Sequence, residues 1–132
     1  MDTGFLLAVL DADDHMHEAC VEALLQEPAP LLPEAVLPQL AYMVLRELGY
    51  ETLSNFLRAL SRGEMTIERT TSADLSRAAE ILEKYADSGI DFVDSVIMVI
   101  AERLKIKRIF TLDQRHFGLM RPKHCPAFDI TP

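Results

Sequence analysis

The chain has 132 residues, and its 21 acids against 13 lysines and arginines give a formal charge of −8. That length suits one domain able to bury a core without disulfides or metals. With 49 % hydrophobic and 26 % charged residues the balance is that of an ordinary globular protein, which excludes disorder and collagen-like structure. No apolar run approaches the roughly 20 residues of a membrane helix. The opening MDTGFLLAVLDADDH lacks the basic start of a signal peptide, so the cytoplasm is the expected compartment.

In chain order, Asp2-Thr3-Gly4 is a polar turn feeding an apolar run, Phe5 to Leu10. Residues 13–26 carry a helical stripe of Met16, Ala19, Cys20, Ala23 and Leu24, on which Cys20 reads as a small buried hydrophobe. Pro28 and Pro30 end it, and a short apolar piece follows at Leu31–Leu32. Pro38 suits the first turn of a helix through Leu40, Met43, Val44 and Leu48, with Gly49 at its end. The next helix, 51–62, puts Leu53, Phe56, Leu57 and Leu60 on one face and is closed by Gly63. MTIERT (65–70) reads as a strand. Thr71 or Ser72 then caps a helix bearing Leu75, Ala78, Ala79, Leu82 and Tyr85. Gly89 separates that helix from another over 91–104, while RIFTLD (108–113) and AFDIT (127–131) read as strands. Strands separated by helices predict one α/β domain over residues 1–132, with a parallel sheet and helices on both faces.

Acids stand where acids are expensive. Between Phe92 and Leu104 the helix is apolar nearly all round, the mark of a buried helix. Its first turn nevertheless carries Asp91 and Asp94, three apart and so on neighbouring surface. Asp91 reads as a helix cap. Asp94 lies a turn in, where capping is less natural and a partner or cation is needed. Asp113 ends the strand RIFTL, the place where parallel sheets bind ligands, although a cap before Gln114-Arg115-His116-Phe117 is the plainer reading. Asp2 is similar. Three such carboxylates suggest convergence on Mg²⁺ or Mn²⁺, a site that supports attack of activated water on a phosphodiester. His116, His124 and Cys125 share one tail but lack the paired spacing of a zinc site.

Asp2-Thr3-Gly4-Phe5-Leu6-Leu7, Leu37-Pro38-Gln39-Leu40-Ala41-Tyr42, Asp91-Phe92-Val93-Asp94-Ser95 and Thr111-Leu112-Asp113-Gln114-Arg115-His116-Phe117 stand in the order of a PIN-domain protein. The whole chain resembles the VapC-like branch, ribonuclease toxins of bacterial toxin–antitoxin pairs, down to a tail like RPxHxxxF from Arg121 to Phe128. The resemblance implies a three-layer α/β/α fold around a mainly parallel sheet, a homodimer, and a small antitoxin lying across the groove. It implies Mg²⁺ or Mn²⁺ held by Asp2, Asp94 and Asp113, supported by Thr3, Gln39 and Asp91. Gln39 stands where the family commonly has Glu, which keeps an acceptor oxygen but loses a charge. The chain could therefore instead be a degenerate PIN domain that binds RNA or protein without cutting. The family also places two or three apolar residues before its first Asp; here Met1 alone precedes it, so the first strand is expected to be short.

Other readings fail on organisation. Asp-Thr-Gly is the aspartic-protease signature, but those enzymes are β-rich. An aspartyl phosphatase wants Asp-x-Asp, and position 4 is Gly. A receiver domain wants an acid after its third strand, where MTIERT is followed only by Thr71–Ser72. Charge is also uneven: residues 103–132 hold seven Lys and Arg against two acids, Asp113 and Asp129. Arg115, Arg121 and Lys123 flank a proposed metal ligand, where cations would suit RNA phosphates.

Overall fold

The computed structural model describes residues 1–132. Its first local decision belongs to Asp2, whose Oδ1 accepts the Phe5 backbone N–H at 3.0 Å. That N-cap starts helix α1 (Thr3–Leu10), so the apolar run behind the polar turn is helical. Phe5, Leu6 and Ala8 are fully buried, as befits a helix apolar on every side. Helix α2 (His17–Leu25) begins later than the stripe over 13–26 predicts. The carboxylates of Asp11 and Asp14 accept from the N–H groups of Asp13 and Met16 at 3.0 and 2.8 Å, holding the intervening residues in turns.

Strand β1 (Leu31–Pro33) and a 3₁₀ turn (Glu34–Val36) lead into α3 (Leu37–Leu48), which has Pro38 in its first turn. Gly49, at φ 89°, lets the chain turn directly into α4 (Tyr50–Ser61). After β2 (Thr66–Glu68), Thr71 and Asp74 form a capping box at the start of α5 (Ser72–Lys84). Helix α6 (Phe92–Leu104), β3 (Arg108–Phe110), α7 (Gln114–Leu119) and β4 (Asp129–Thr131) complete the chain.

All strand pairing is parallel, β1 with β2 and β3 with β4, each in a three-residue register. The two ladders meet across Met1 and Asp2: the Asp2 N–H donates to Phe110 O at 3.1 Å, and the Met1 ammonium reaches Leu31 O at 3.5 Å. The short first strand is thus reduced to one residue of pairing on each side. Beside it lies an apolar cleft of about 390 Å³ lined by Met1, Leu31, Ile97, Ile100, Ile109 and Phe110 among others. Burial pushes the Met1 ammonium down to about 6, against the pull of the Asp2 carboxylate.

Helix α6 is the spine. Ser95 to Glu102 are buried without interruption, and the helix packs on α5 and β1. Its C-terminal end is locked to α5 by ions: Arg103 donates twice to Asp74 at 3.0 Å, and Arg77 donates to both oxygens of Glu102 at 3.0 and 3.2 Å. Asp74 is only 2 % exposed. Its burial works against ionisation, but the bonds from Arg103 and Thr71 outweigh it and hold the carboxyl below its ordinary range. These contacts fix the axis of α6, and with it the position of the acids at the opposite end.

Candidate metal centre

A polar cleft of about 570 Å³ opens beyond the carboxyl end of β3, where the starts of α1, α6 and α7 converge. It is lined by Asp2, Thr3, Gln39, Asp91, Asp94 and Asp113, all six expected from the sequence, together with His116. Three of the acids arrive as helix caps, which gives each a fixed direction. Asp2 caps α1, Asp91 caps α6 by accepting the Asp94 N–H at 2.9 Å, and Asp113 caps α7 by accepting the His116 N–H at 2.9 Å. Capping and a place in the cleft are thus compatible for Asp113, because its other oxygen remains directed inward.

Thr111 ties two of these acids together. Fully buried, its hydroxyl accepts the Asp113 N–H at 2.9 Å and donates to Asp2 Oδ2. Both Asp2 oxygens are therefore engaged, one by Phe5 and one by Thr111. Burial still raises the Asp2 pKa, with the Thr111 and Phe5 bonds opposing and the Asp113 charge adding to it. Asp94 has a side chain only 13 % exposed. Its pKa is raised to about 6, first by burial and then by the neighbouring Asp91 charge. Gln39 Oε1 accepts the Thr3 hydroxyl at 2.8 Å, so its oxygen is turned toward α1.

The tightest convergence joins Asp94, Asp113 and His116, whose ligand atoms lie within 4.8 Å of one another. His116 Nδ1 stands 2.9 Å from Asp113 Oδ2 and 3.2 Å from Asp94 Oδ2. It is buried and makes no hydrogen bond of acceptable geometry. Oxygen and nitrogen donors gathered this closely, with a nitrogen lacking a bonding partner, fit a divalent cation. Asp2 lines the same cleft without joining this closest group.

The expected basic rim is thinner than its sequence cluster. Arg115 is exposed and pairs with no acid. The Arg121 guanidinium donates to the carbonyls of Gly118 and Met120, closing the end of α7. Lys123 lies elsewhere: its N–H donates to Glu102 Oε2 at 2.6 Å, beside Arg77 and Arg103. Glu102 sits eight residues beyond Asp94 on α6, about 12 Å along the helix, so the tail after α7 folds back over that end and carries Lys123 away from the acids. Arg103 and Arg108 are likewise engaged, with Glu68 and Asp74 and with Asp129. His124 and Cys125 do not join His116; His124 Nε2 lies 2.6 Å from Ile106 O. Sequence reasoning missed His116 and Thr111 as site residues. The spacing of His116 from Asp113, one helical turn, was the available signal.

Comparison with known proteins gives three findings. The PIN domain family model matches residues 1–120. The chain is 32 % identical to Ribonuclease VapC26 of Mycobacterium tuberculosis over 133 residues, covering 100 % of this chain and 98 % of that one. Its fold is similar to the crystal structure of Mycobacterium tuberculosis VapC20, a sarcin-ricin loop cleaving toxin, with a TM-score of 0.79 and 18 % identity over 89 % of this chain and 91 % of that one.

Proposed function

The chain belongs to the PIN-domain family, and from that premise we propose that it is a VapC-type endoribonuclease toxin that hydrolyses RNA phosphodiesters with Mg²⁺ or Mn²⁺. The observation that carries this reading is the convergence of Asp94, Asp113 and His116 in a cleft also lined by Asp2, in a chain matching a ribonuclease along its full length. Asp2, Asp94 and Asp113 hold the cation. When bound, it supplies Lewis-acid chemistry, acidifying a water and offsetting charge on the phosphate.

The protein's own contribution is preorganisation. Asp113 is held by its bonds to His116 and Thr111, and Asp2 by Phe5 and Thr111, so neither carboxylate has to search for its position. Asp91 keeps α6 in place as its cap and raises the Asp94 pKa by proximity. Thr3 orients Gln39, leaving the uncharged amide to face the cleft in place of a carboxylate. Arg115 is the free cation nearest in sequence to the acids and is assigned to an RNA phosphate. In the net reaction a water oxygen bonds to phosphorus, the bond to the leaving ribose oxygen breaks, and that oxygen takes a proton.

The protein acts in the cytoplasm; no helix is long and apolar enough to cross a membrane. A small antitoxin restrains it, and two copies pair. Exposed Tyr42, Tyr50 and Leu57 on α3 and α4 supply apolar surface suited to such contacts. The test is cleavage of a structured RNA with Mn²⁺ or Mg²⁺ present or chelated, using wild type and Asp113→Asn. Cleavage that needs the cation and falls at least about a hundredfold in the variant supports the reading. Equal cleavage by both proteins overturns it.

A further inference from the structure

His116 remains to be placed. Its backbone N–H is held by Asp113 Oδ1 at 2.9 Å, which pins the start of α7 against the cleft. The ring then has little choice of position. On one side, Nε2 lies 3.7 Å from where a side chain at Gly89 would begin, and Gly89 adopts a left-handed φ of 75°. A residue with a side chain there would be strained by its backbone conformation, and its Cβ would meet the imidazole at ordinary contact distance. On the other side, Nδ1 points between Asp113 Oδ2 and Asp94 Oδ2. A histidine that served only as a partner for Asp113 would complete one well-aligned hydrogen bond. Here Nδ1 is closed off from solvent, approaches two carboxylates at once, and bonds to neither.

We propose that His116 binds the cation directly through Nδ1, and that this nitrogen donor makes the cleft prefer Mn²⁺ to Mg²⁺. The proposal rests on the metal-centre reading above and adds to it the donor that sets selectivity. Magnesium favours oxygen and holds its waters, whereas imidazole nitrogen favours the transition ions. Gln39 acts in the same direction, because one negative charge fewer weakens the field that a hard, strongly hydrated ion needs. The donor set is thus carboxylate oxygen from Asp94 and Asp113 with one imidazole nitrogen, and Asp2 is the further carboxylate of the cleft.

Pulsed electron paramagnetic resonance of Mn²⁺ bound to the wild-type protein reads nitrogen coordination directly, and calorimetry with Mn²⁺ and Mg²⁺ reads selectivity. The expected spectrum shows ¹⁴N coupling of a coordinated imidazole, which His116→Gln removes and His124→Gln leaves. His116→Gln lowers Mn²⁺ affinity by about tenfold or more and Mg²⁺ affinity by less than about threefold. Mn²⁺ bound by wild type without ¹⁴N coupling overturns the ligand role of His116 and leaves the metal centre standing. An unchanged Mn²⁺ to Mg²⁺ ratio in His116→Gln overturns the selectivity claim. No Mn²⁺ binding by wild type overturns the metal centre and this proposal together. The wild-type spectrum is informative even if a variant fails to fold.

Discussion

Lowering the pH should strip the cation from the cleft, and the raised pKa of Asp94 sets where this happens. Its ordinary value of 3.8 is moved to about 6 by burial and by the Asp91 charge. Only the ionised carboxylate binds metal. At about pH 5 such a group is ionised in roughly one molecule in ten, whereas near pH 7.5 it is almost fully ionised. Apparent Mn²⁺ affinity should therefore fall at least about tenfold between those two conditions, and each cation bound at about pH 5 should release at least about one proton. A carboxylate at the ordinary value would change its ionisation by less than about a tenth over the same range. Calorimetry at both pH values, in buffers of different ionisation enthalpy, gives affinity and proton count together. Asp91→Asn keeps the helix cap, since Asn caps as well as Asp, but removes the second cause of the shift. Its affinity should hold to a lower pH. Flat wild-type affinity with no proton release would refute the reasoning. The same shift makes a stability statement: folded Asp94 holds its proton more tightly than the unfolded chain, so between about pH 4 and about pH 6 this residue's contribution to apoprotein stability falls as pH rises. The difference in denaturation midpoint between wild type and Asp94→Asn should grow in favour of the variant across that window.

Three other perturbations give defined outcomes. Gln39→Glu restores a charge beside the cleft and should raise Mg²⁺ affinity and cleavage rate by about three- to tenfold, with a small loss of apoprotein stability from added repulsion; unchanged binding by calorimetry would show that position 39 does not act on the cation. Thr111→Val deletes the hydroxyl bridging Asp113 and Asp2 and should cost about 1–3 kcal/mol of unfolding free energy together with metal affinity, both recovered in Thr111→Ser; loss of stability alone would make Thr111 purely structural. Adding two apolar residues before Met1 replaces the buried ammonium by an amide and extends the chain beside β1 and β3. Burial of the two side chains roughly offsets their ordering, so the gain comes from the ammonium. Its pKa falls from 8.0 to about 6 on folding, a cost of about 1 kcal/mol near pH 7 that grows toward about pH 6 and vanishes above about pH 8. Chemical denaturation should show a gain with that pH dependence; a gain equal at all pH values would contradict the cause assigned.

The sequence was most readable where one residue sets local geometry. Gly49 and Gly63 close helices as their φ freedom allows, Thr71 builds the expected cap, and the all-apolar stretch after Phe92 is the buried spine. The acids were legible because a carboxylate inside a buried helix or at a strand end stays charged only with a cap, a cation or a donor beside it. The first helix was less so: Phe5 to Leu10 is apolar on every side, and only the capping bond from Asp2 identifies it as helical. What failed to show was long-range. Thr111 looks like any strand residue until Asp2, 109 positions away, receives its hydroxyl. Lys123 lies ten residues beyond Asp113 in sequence, yet it sits at the far end of α6, because Glu102 captures its backbone. The cluster of cations in the last thirty residues therefore overstated the basic rim of the cleft, since Lys123 lies by Glu102 and the Arg121 guanidinium closes the end of α7. Arg103 and Arg108 neutralise acids contributed by other elements, and Arg115 is the exposed cation nearest in sequence to the cleft acid Asp113.

The most direct test of the central claim is the position of a bound cation. Crystals soaked in Mn²⁺ and measured for anomalous scattering should show their strongest peak in the cleft, between the carboxylates of Asp94 and Asp113 and the His116 ring. A strongest peak outside that cleft, or no peak at a Mn²⁺ concentration that supports RNA cleavage, would contradict the account.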